Sequence, residues 1–202
     1  METNYTKIIR SNLETAFTNK MDCLQAWLPA ERENAIFYLN AFGDPCEISA
    51  DTIRLNNDPL HDPRGVLISM YVLFASAEPC VTEPFKAFKE FSETMPYEGA
   101  FHKHTEHILT PHVGQLIKHK DMIMQRLEGS QAPAEITGDD AFIVRPLPKI
   151  ALCYIIYEAD EDFEASVTCL YSVNADEFLP ADALADVAEY TSQKMIEIVE
   201  AS

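Results

Sequence analysis

Apolar positions recur at two different spacings along this chain, and the changes of spacing divide it into elements. Tyr5, Ile9, Leu13, Phe17, Met21, Leu24 and Leu28 stand three or four residues apart, which places them on one stripe of an amphipathic helix that Pro29 ends. From Ala35 to Leu55 that period disappears. IFYLNAF, CEIS and TIRL are short runs broken at Gly43-Asp44-Pro45 and at Ala50-Asp51, predicting a meander of strands with turns at the breaks. A helix over 31–42 stays open as the alternative, because Glu31, Arg32 and Glu33 suit a first turn. After a polar loop with two prolines at 56–63, Val66, Leu67, Met70, Tyr71 and Phe74 predict a second helix that stops before Pro79. Phe85, Phe88 and Phe91 then fall at intervals of three, either on one side of a short helix or along an irregular segment lying on the core. Residues 98–110 and 111–128 read as two helices parted by Pro111 and closed by Gly129, and 130–140 as a loop.

The period shifts again near the end of the chain. Ile150 to Tyr157 and Ala165 to Val173 are rich in Ile, Val, Tyr and Cys, too short for typical helices, and flank an acidic loop; they predict an antiparallel hairpin. Centring it on Glu161 pairs Cys153 with Cys169 and Ile155 with Val167. Ala151, Cys153, Ile155 and Tyr157 then share an apolar face with Ala165, Val167, Cys169 and Tyr171, while the opposite face is mixed. A pair covered on both sides belongs inside a sheet. From Pro180 a last helix buries Leu184, Val187, Ala188, Thr191, Met195 and Ile198. The expected fold is α+β, a single domain over 1–202, with an antiparallel sheet centred on the late hairpin (150–157/165–173) and packed by the N- and C-terminal helices.

The same region carries a family resemblance. Arg145-Pro-Leu-Pro148, Asp160-Glu-Asp-Phe163, Ser166-Val-Thr-Cys-Leu170 and Ala175-Asp-Glu-Phe-Leu-Pro180 resemble the C-terminal half of the domain of unknown function 3786 family. Pro63-Arg-Gly-Val-Leu-Ile and Tyr97-Glu-Gly-Ala-Phe101 extend the likeness over most of the chain. Glu164 stands where the family pattern has proline, and Ser172 where it has aspartate. The resemblance implies a small intracellular protein of anaerobic microbes, sometimes encoded with iron-sulfur segments, and no particular activity.

Composition narrows the partners. The chain has 202 residues, enough for one domain with its own core, and no Pro/Gly/Ser-rich linker divides it. Thirty-three acidic against 15 basic residues give a net charge of −18, which repels phosphate backbones and anionic membranes. Nucleic acid and membrane are therefore not expected partners, whereas a basic protein or a cation is compatible with the surface. The polar start METNYTKIIRSN lacks the apolar core of a signal peptide, and no run reaches the length of a membrane span. A cytoplasmic location follows as the expectation. Cys23, Cys46, Cys80, Cys153 and Cys169 are odd in number and scattered, which fits reduced thiols.

Candidate chemistry gathers in three places. Five of the six histidines, His102, His104, His107, His112 and His119, lie within 18 residues. His104, His107 and His112 could converge on a metal if the chain folds back at Pro111. The spacing matches no zinc motif, since Lys103 stands where His-x-x-Glu-His would begin, and His104-Thr-Glu106 lacks the cysteines of the deaminases. His112 and His119 also lie at the edge of their helix's apolar stripe, and an ordinary interfacial role is the plainer reading. In the acidic loop, Asp160 and Asp162 present oxygens at alternate positions, yet the glycine and closing glutamate of a calcium loop are replaced by Ala165 and Tyr171. A solvated hairpin tip is the simpler interpretation. Arg145 could bind a carboxylate or phosphate, or pair with an acidic neighbour. Phe85, Phe88 and Tyr154 could wall a planar cofactor, or fill the core. Cys153 and Cys169 could form a redox pair, or rest buried and reduced.

No nucleophile elbow, phosphate loop or dinucleotide fingerprint occurs, so no catalytic residue is singled out. The first functional expectation is a non-catalytic protein binding a small ligand or cofactor, a metal or tetrapyrrole of anaerobic metabolism. The second is a metal-dependent enzyme using the His102–His119 segment. The third is an acidic module that docks on a basic protein.

Overall fold

Helix α1 (Asn4–Trp27) starts where Thr3 accepts the Thr6 N–H on its hydroxyl at 3.2 Å, and it buries Ile9, Leu13, Ala16 and Leu24. The computed structural model describes residues 3–202. After Pro29 the chain forms β1 (Glu31–Glu33), β2 (Ile36–Ala41), β3 (Asp44–Ile48), β4 (Ile53–Leu55) and β5 (Asp58–Pro59), an antiparallel meander in chain order. The helical alternative for 31–42 is thereby excluded. The meander gains two short edge strands, β1 and β5, whose charged and proline-bearing sequences carry little strand signal.

Ala41 pairs with Asp44, so the β2–β3 turn is the two residues Phe42 and Gly43, at φ of 52° and 77°. Two positive φ values make the hairpin turn whose twist matches its strands. Helix α2 (Pro63–Leu73) follows, with Asp62 capping the Arg64 and Gly65 N–H groups and Pro63 in the first turn. Phe17 of α1 meets Phe37 of β2 edge-on at 5.6 Å.

The second sheet has the order β6 (Lys86–Ala87), β10 (Ser166–Tyr171), β9 (Ile150–Tyr157), β8 (Asp140–Leu147), β7 (Ser130–Gln131), and every pairing is antiparallel. The expected hairpin, β9–β10, is its centre. Its register differs by one residue from the symmetric pairing: Cys169 faces Tyr154, and Val167 faces Ile156. The cause lies in the loop, where Asp160 Oδ1 accepts the N–H groups of Asp162 and Phe163, both at 2.8 Å, and closes a local turn. A shift of one residue changes which side chains share a face. Leu152, Tyr154 and Ile156 lie with Val167, Cys169 and Tyr171 on the inner face. Ala151, Cys153 and Ile155 lie outward, covered by Cys80, Phe85, Ala132 and Ile136.

Strand β8 carries a weak sequence signal, because Asp139-Asp140 stand at its start and Arg145-Pro146 interrupt its apolar run. Helix α6 (Ala181–Glu200) packs on the inner face as expected, where Tyr154 Oη lies 3.0 Å from Ser192 Oγ and Tyr171 Oη donates to Leu184 O at 2.9 Å.

The segment between the sheets is less regular than two helices. It runs through a 3-10 turn (88–90), α3 (Glu98–Phe101), a π turn (102–106), a 3-10 stretch (107–112), α4 (Val113–Lys118) and α5 (Lys120–Arg126). Pro111 has no N–H to give the His107 carbonyl, and the chain tightens around it. The sheets meet at the β2–β3 turn, where Phe42 N–H donates to Pro146 O at 2.7 Å. One buried cluster runs from Ile9 to Val199 through both sheets. Among the described residues no helix is long and apolar enough to cross a membrane.

Candidate functional site

Strand β6 is only two residues long, so it covers Leu170 and Tyr171 and leaves the start of β10 without a strand on that edge. The π turn takes its place: Glu106 Oε1 accepts the Cys169 N–H at 3.0 Å. The other oxygen, Oε2, receives His102 Nδ1 at 2.8 Å. Where Nδ1 donates to this carboxylate, Nε2 is the ring's remaining hydrogen-bonding atom. Glu106 is held between a helix and a sheet edge, with 15% of its side chain exposed, whereas His102 is 72% exposed. Wider π turns of this kind concentrate at functional sites.

Beside this pair is a pocket of about 280 Å³, lined by Ala87, Phe88, Lys89, Glu98, Phe101, His102, Glu106, Thr168 and Cys169. Its apolar wall is the stacked pair Phe88 and Phe101, with centroids 4.5 Å apart and planes 16° apart, backed by Tyr171. Lys89 and Glu98 balance one another in charge. Burial pushes the Cys169 thiol well up, and the Glu106 carboxylate adds to the effect. Burial likewise raises the Tyr154 and Tyr171 phenols well above their ordinary values. All three stay protonated at neutral pH, and an inert thiol supplies no nucleophile. The hydrogen-bonding chemistry nearest the apolar wall therefore rests on His102 and Glu106.

The expected site residues are dispersed. His104 and His112 are half-buried and His107 is exposed, its ring stacked 6.4 Å from His102. Asp160 caps the hairpin loop, and Asp162 is exposed in the same loop. Among the described residues no three His, Cys, Asp or Glu side chains stand together as a metal-holding group. Of the expected cofactor wall, Phe88 lines the pocket, Phe85 packs on the opposite face of the sheet, and Tyr154 is sealed under α6 with no exposed surface. Arg145 lies elsewhere, in the cleft where the two sheets meet.

Cys153 and Cys169 fall on opposite faces, and burial pushes the Cys153 thiol up to about 12. A redox pair between them has no geometric basis. Glu106, Phe101 and Cys169 were not picked out as pocket residues from sequence, nor was His102 assigned this role. The four-residue spacing of His102 and Glu106 was the available signal. The free Cys169 N–H depends on where β6 ends, which no local pattern gives.

These features define a two-sheet α+β protein with a small pocket at an uncovered strand edge. The chain belongs to the family described as Domain of unknown function (DUF3786), which matches residues 21–194 and so spans both sheets and the pocket. No curated protein and no solved structure matches it. Two segments of the family resemblance, Tyr97–Phe101 and Ser166–Leu170, meet at the pocket.

Proposed function

We propose that the protein binds a small, partly apolar ligand in the pocket beside the π turn and performs no covalent step on it. The observation that carries this reading is His102, held by Glu106 in the lining of a pocket whose apolar wall is two stacked phenylalanines. A volume of about 280 Å³ lies at the lower end for ligand sites and favours a compound the size of a single or fused heterocycle over a tetrapyrrole. A polar group on the ligand would hydrogen-bond the His102 ring, and its own ring would lie against the apolar wall. The free state of all five cysteines supports a reducing, cytoplasmic setting.

Amide NMR of the full chain, titrated with a panel of imidazoles, pyridines, indoles and phenols, tests this reading. At least one compound should shift the amides of His102, Thr168 and Cys169, with an affinity of about 1 mM for a fragment. His102→Ala should abolish the shifts, while Glu106 still holds the Cys169 N–H and the fold stays intact. A panel that leaves these three amides unmoved would overturn the proposal.

A further inference from the structure

A second cleft, of about 520 Å³, opens where the meander meets the second sheet. One wall is a row across three strands: Glu31 of β1 and Glu47 of β3 both stand directly opposite Tyr38 of β2. Side chains directly opposite one another in a sheet share a face, so the two carboxylates flank the phenol. Glu128, just beyond α5 at φ 50°, adds a third carboxylate and accepts a hydrogen bond from Asn40. The other wall carries Arg145, at the bulge between Val144 and Leu147, a distortion that re-aims a side chain.

Arg145 is the anomaly in this cleft. In a chain with 33 acidic and 15 basic residues, an arginine is expected to hold a carboxylate. Among the described residues no carboxylate lies within 4.0 Å of Arg145; its backbone N–H donates to Leu127 O at 2.8 Å, and the hydrogen bond from its guanidinium goes to Cys80 Sγ at 3.6 Å, a weak acceptor. The facing glutamates are likewise without a cation at that distance. Arg54, the cross-strand neighbour of Glu47, turns instead to the Asn57 carbonyl at 3.0 Å. An arginine without a carboxylate and three glutamates without a cation thus line one cleft without satisfying each other. Guanidinium geometry suits a carboxylate held by two parallel bonds, and the glutamates suit an ammonium group.

We infer that this cleft is a binding site for a small zwitterion of the amino-acid type, its carboxylate on Arg145 and its ammonium between Glu31, Glu47 and Glu128. Tyr38 supplies surface for the ligand's side chain. The site is separate from the π-turn pocket and stands or falls independently of it.

The test is an amide NMR titration of the full chain with pools of free amino acids, then with the carboxamide and the N-acetyl derivative of each amino acid that binds. A free amino acid should shift the amides of Tyr38, Glu47 and Arg145, and each blocked form should bind about tenfold more weakly or worse, the loss of one charge-assisted contact. Glu31→Gln and Arg145→Met should each abolish the shifts, whereas His102→Ala should leave them unchanged. If Arg145→Met lowers the thermal midpoint, Glu31→Gln, at a strand on the outer edge, decides alone. The inference is overturned if no free amino acid moves these amides. It is also overturned if the carboxamide binds as well as the free form, which marks a simple cation site, or if the N-acetyl form does, which marks a simple anion site.

Discussion

Asp44 is 4% exposed and receives Lys194 of α6 at 2.7 Å and Arg126 of α5 on its other oxygen, so one carboxylate ties the β2–β3 hairpin to two helices. Burial alone would push its carboxyl up. Hydrogen bonds from Lys194 and Asn56 and the charges of Lys194 and Arg126 outweigh that and hold it below the ordinary carboxylate value. A folded pKa below the unfolded one means that the contribution to stability is complete above the unfolded value of about 3.9 and is lost as pH falls through the folded value. Asp44→Asn should cost about 2–3 kcal/mol at neutral pH, below the usual cost of breaking a buried pair because Arg126 keeps half of its surface in water. Urea unfolding of both proteins from pH 7 to pH 3 checks this. The gap between them should narrow once the pH falls below about 3.9, and a gap independent of pH would show that the charge of Asp44 is not what stabilises the junction.

The element that carries this junction is the two-residue turn Phe42–Gly43. Gly43 sits at φ 77°, and a Cβ there would approach Arg126 O to 2.8 Å. Gly43→Ala should therefore destabilise by about 2 kcal/mol, from the left-handed backbone and the close approach together, measured as a fall in the urea midpoint with an unchanged slope. An unaffected midpoint would mean that the hairpin and α5 separate at little cost. The sequence marked the break at Gly43 because glycine interrupts an alternating run, and it marked both strands of the late hairpin by their composition. It did not mark the register, which was set by Asp160 bonding two N–H groups inside the loop. Nor did it mark β8, where a bulge and Pro146 break the alternation. The pocket was hidden for a related reason: Glu106 matters because β6 stops at Ala87, and the length of an edge strand depends on what it packs against. Arg145 was visible as a candidate, but its lack of a carboxylate partner is a fact of three-dimensional arrangement.

For the molecule as a whole, helix α6 and one continuous core hold two sheets together against a net charge of −18. Like charge distributed over a compact body is self-repulsion, which weakens when the chain expands, so it opposes folding. Added salt shortens the reach of these interactions from about 10 Å at 0.1 M to about 3 Å at 1 M. The attractive pairs most sensitive to screening are the exposed ones, such as Arg64 with Asp62, and exposed pairs contribute little. The Asp44 cluster is mostly buried and is screened less. Repulsion should therefore lose more than attraction does, and the thermal midpoint should rise as sodium chloride is added from low concentration to about 0.5 M, a range over which the screening length shortens steadily. For a chain of this size each kcal/mol of relief corresponds to about 2–4 °C. Sodium chloride is the appropriate salt, because sulfate also strengthens apolar burial and would raise the midpoint for a different reason. A midpoint that fell with salt would place the stabilising electrostatics in surface pairs rather than in the buried junction. The acidic surface would then be a network that supports the fold, instead of a charge the core holds against.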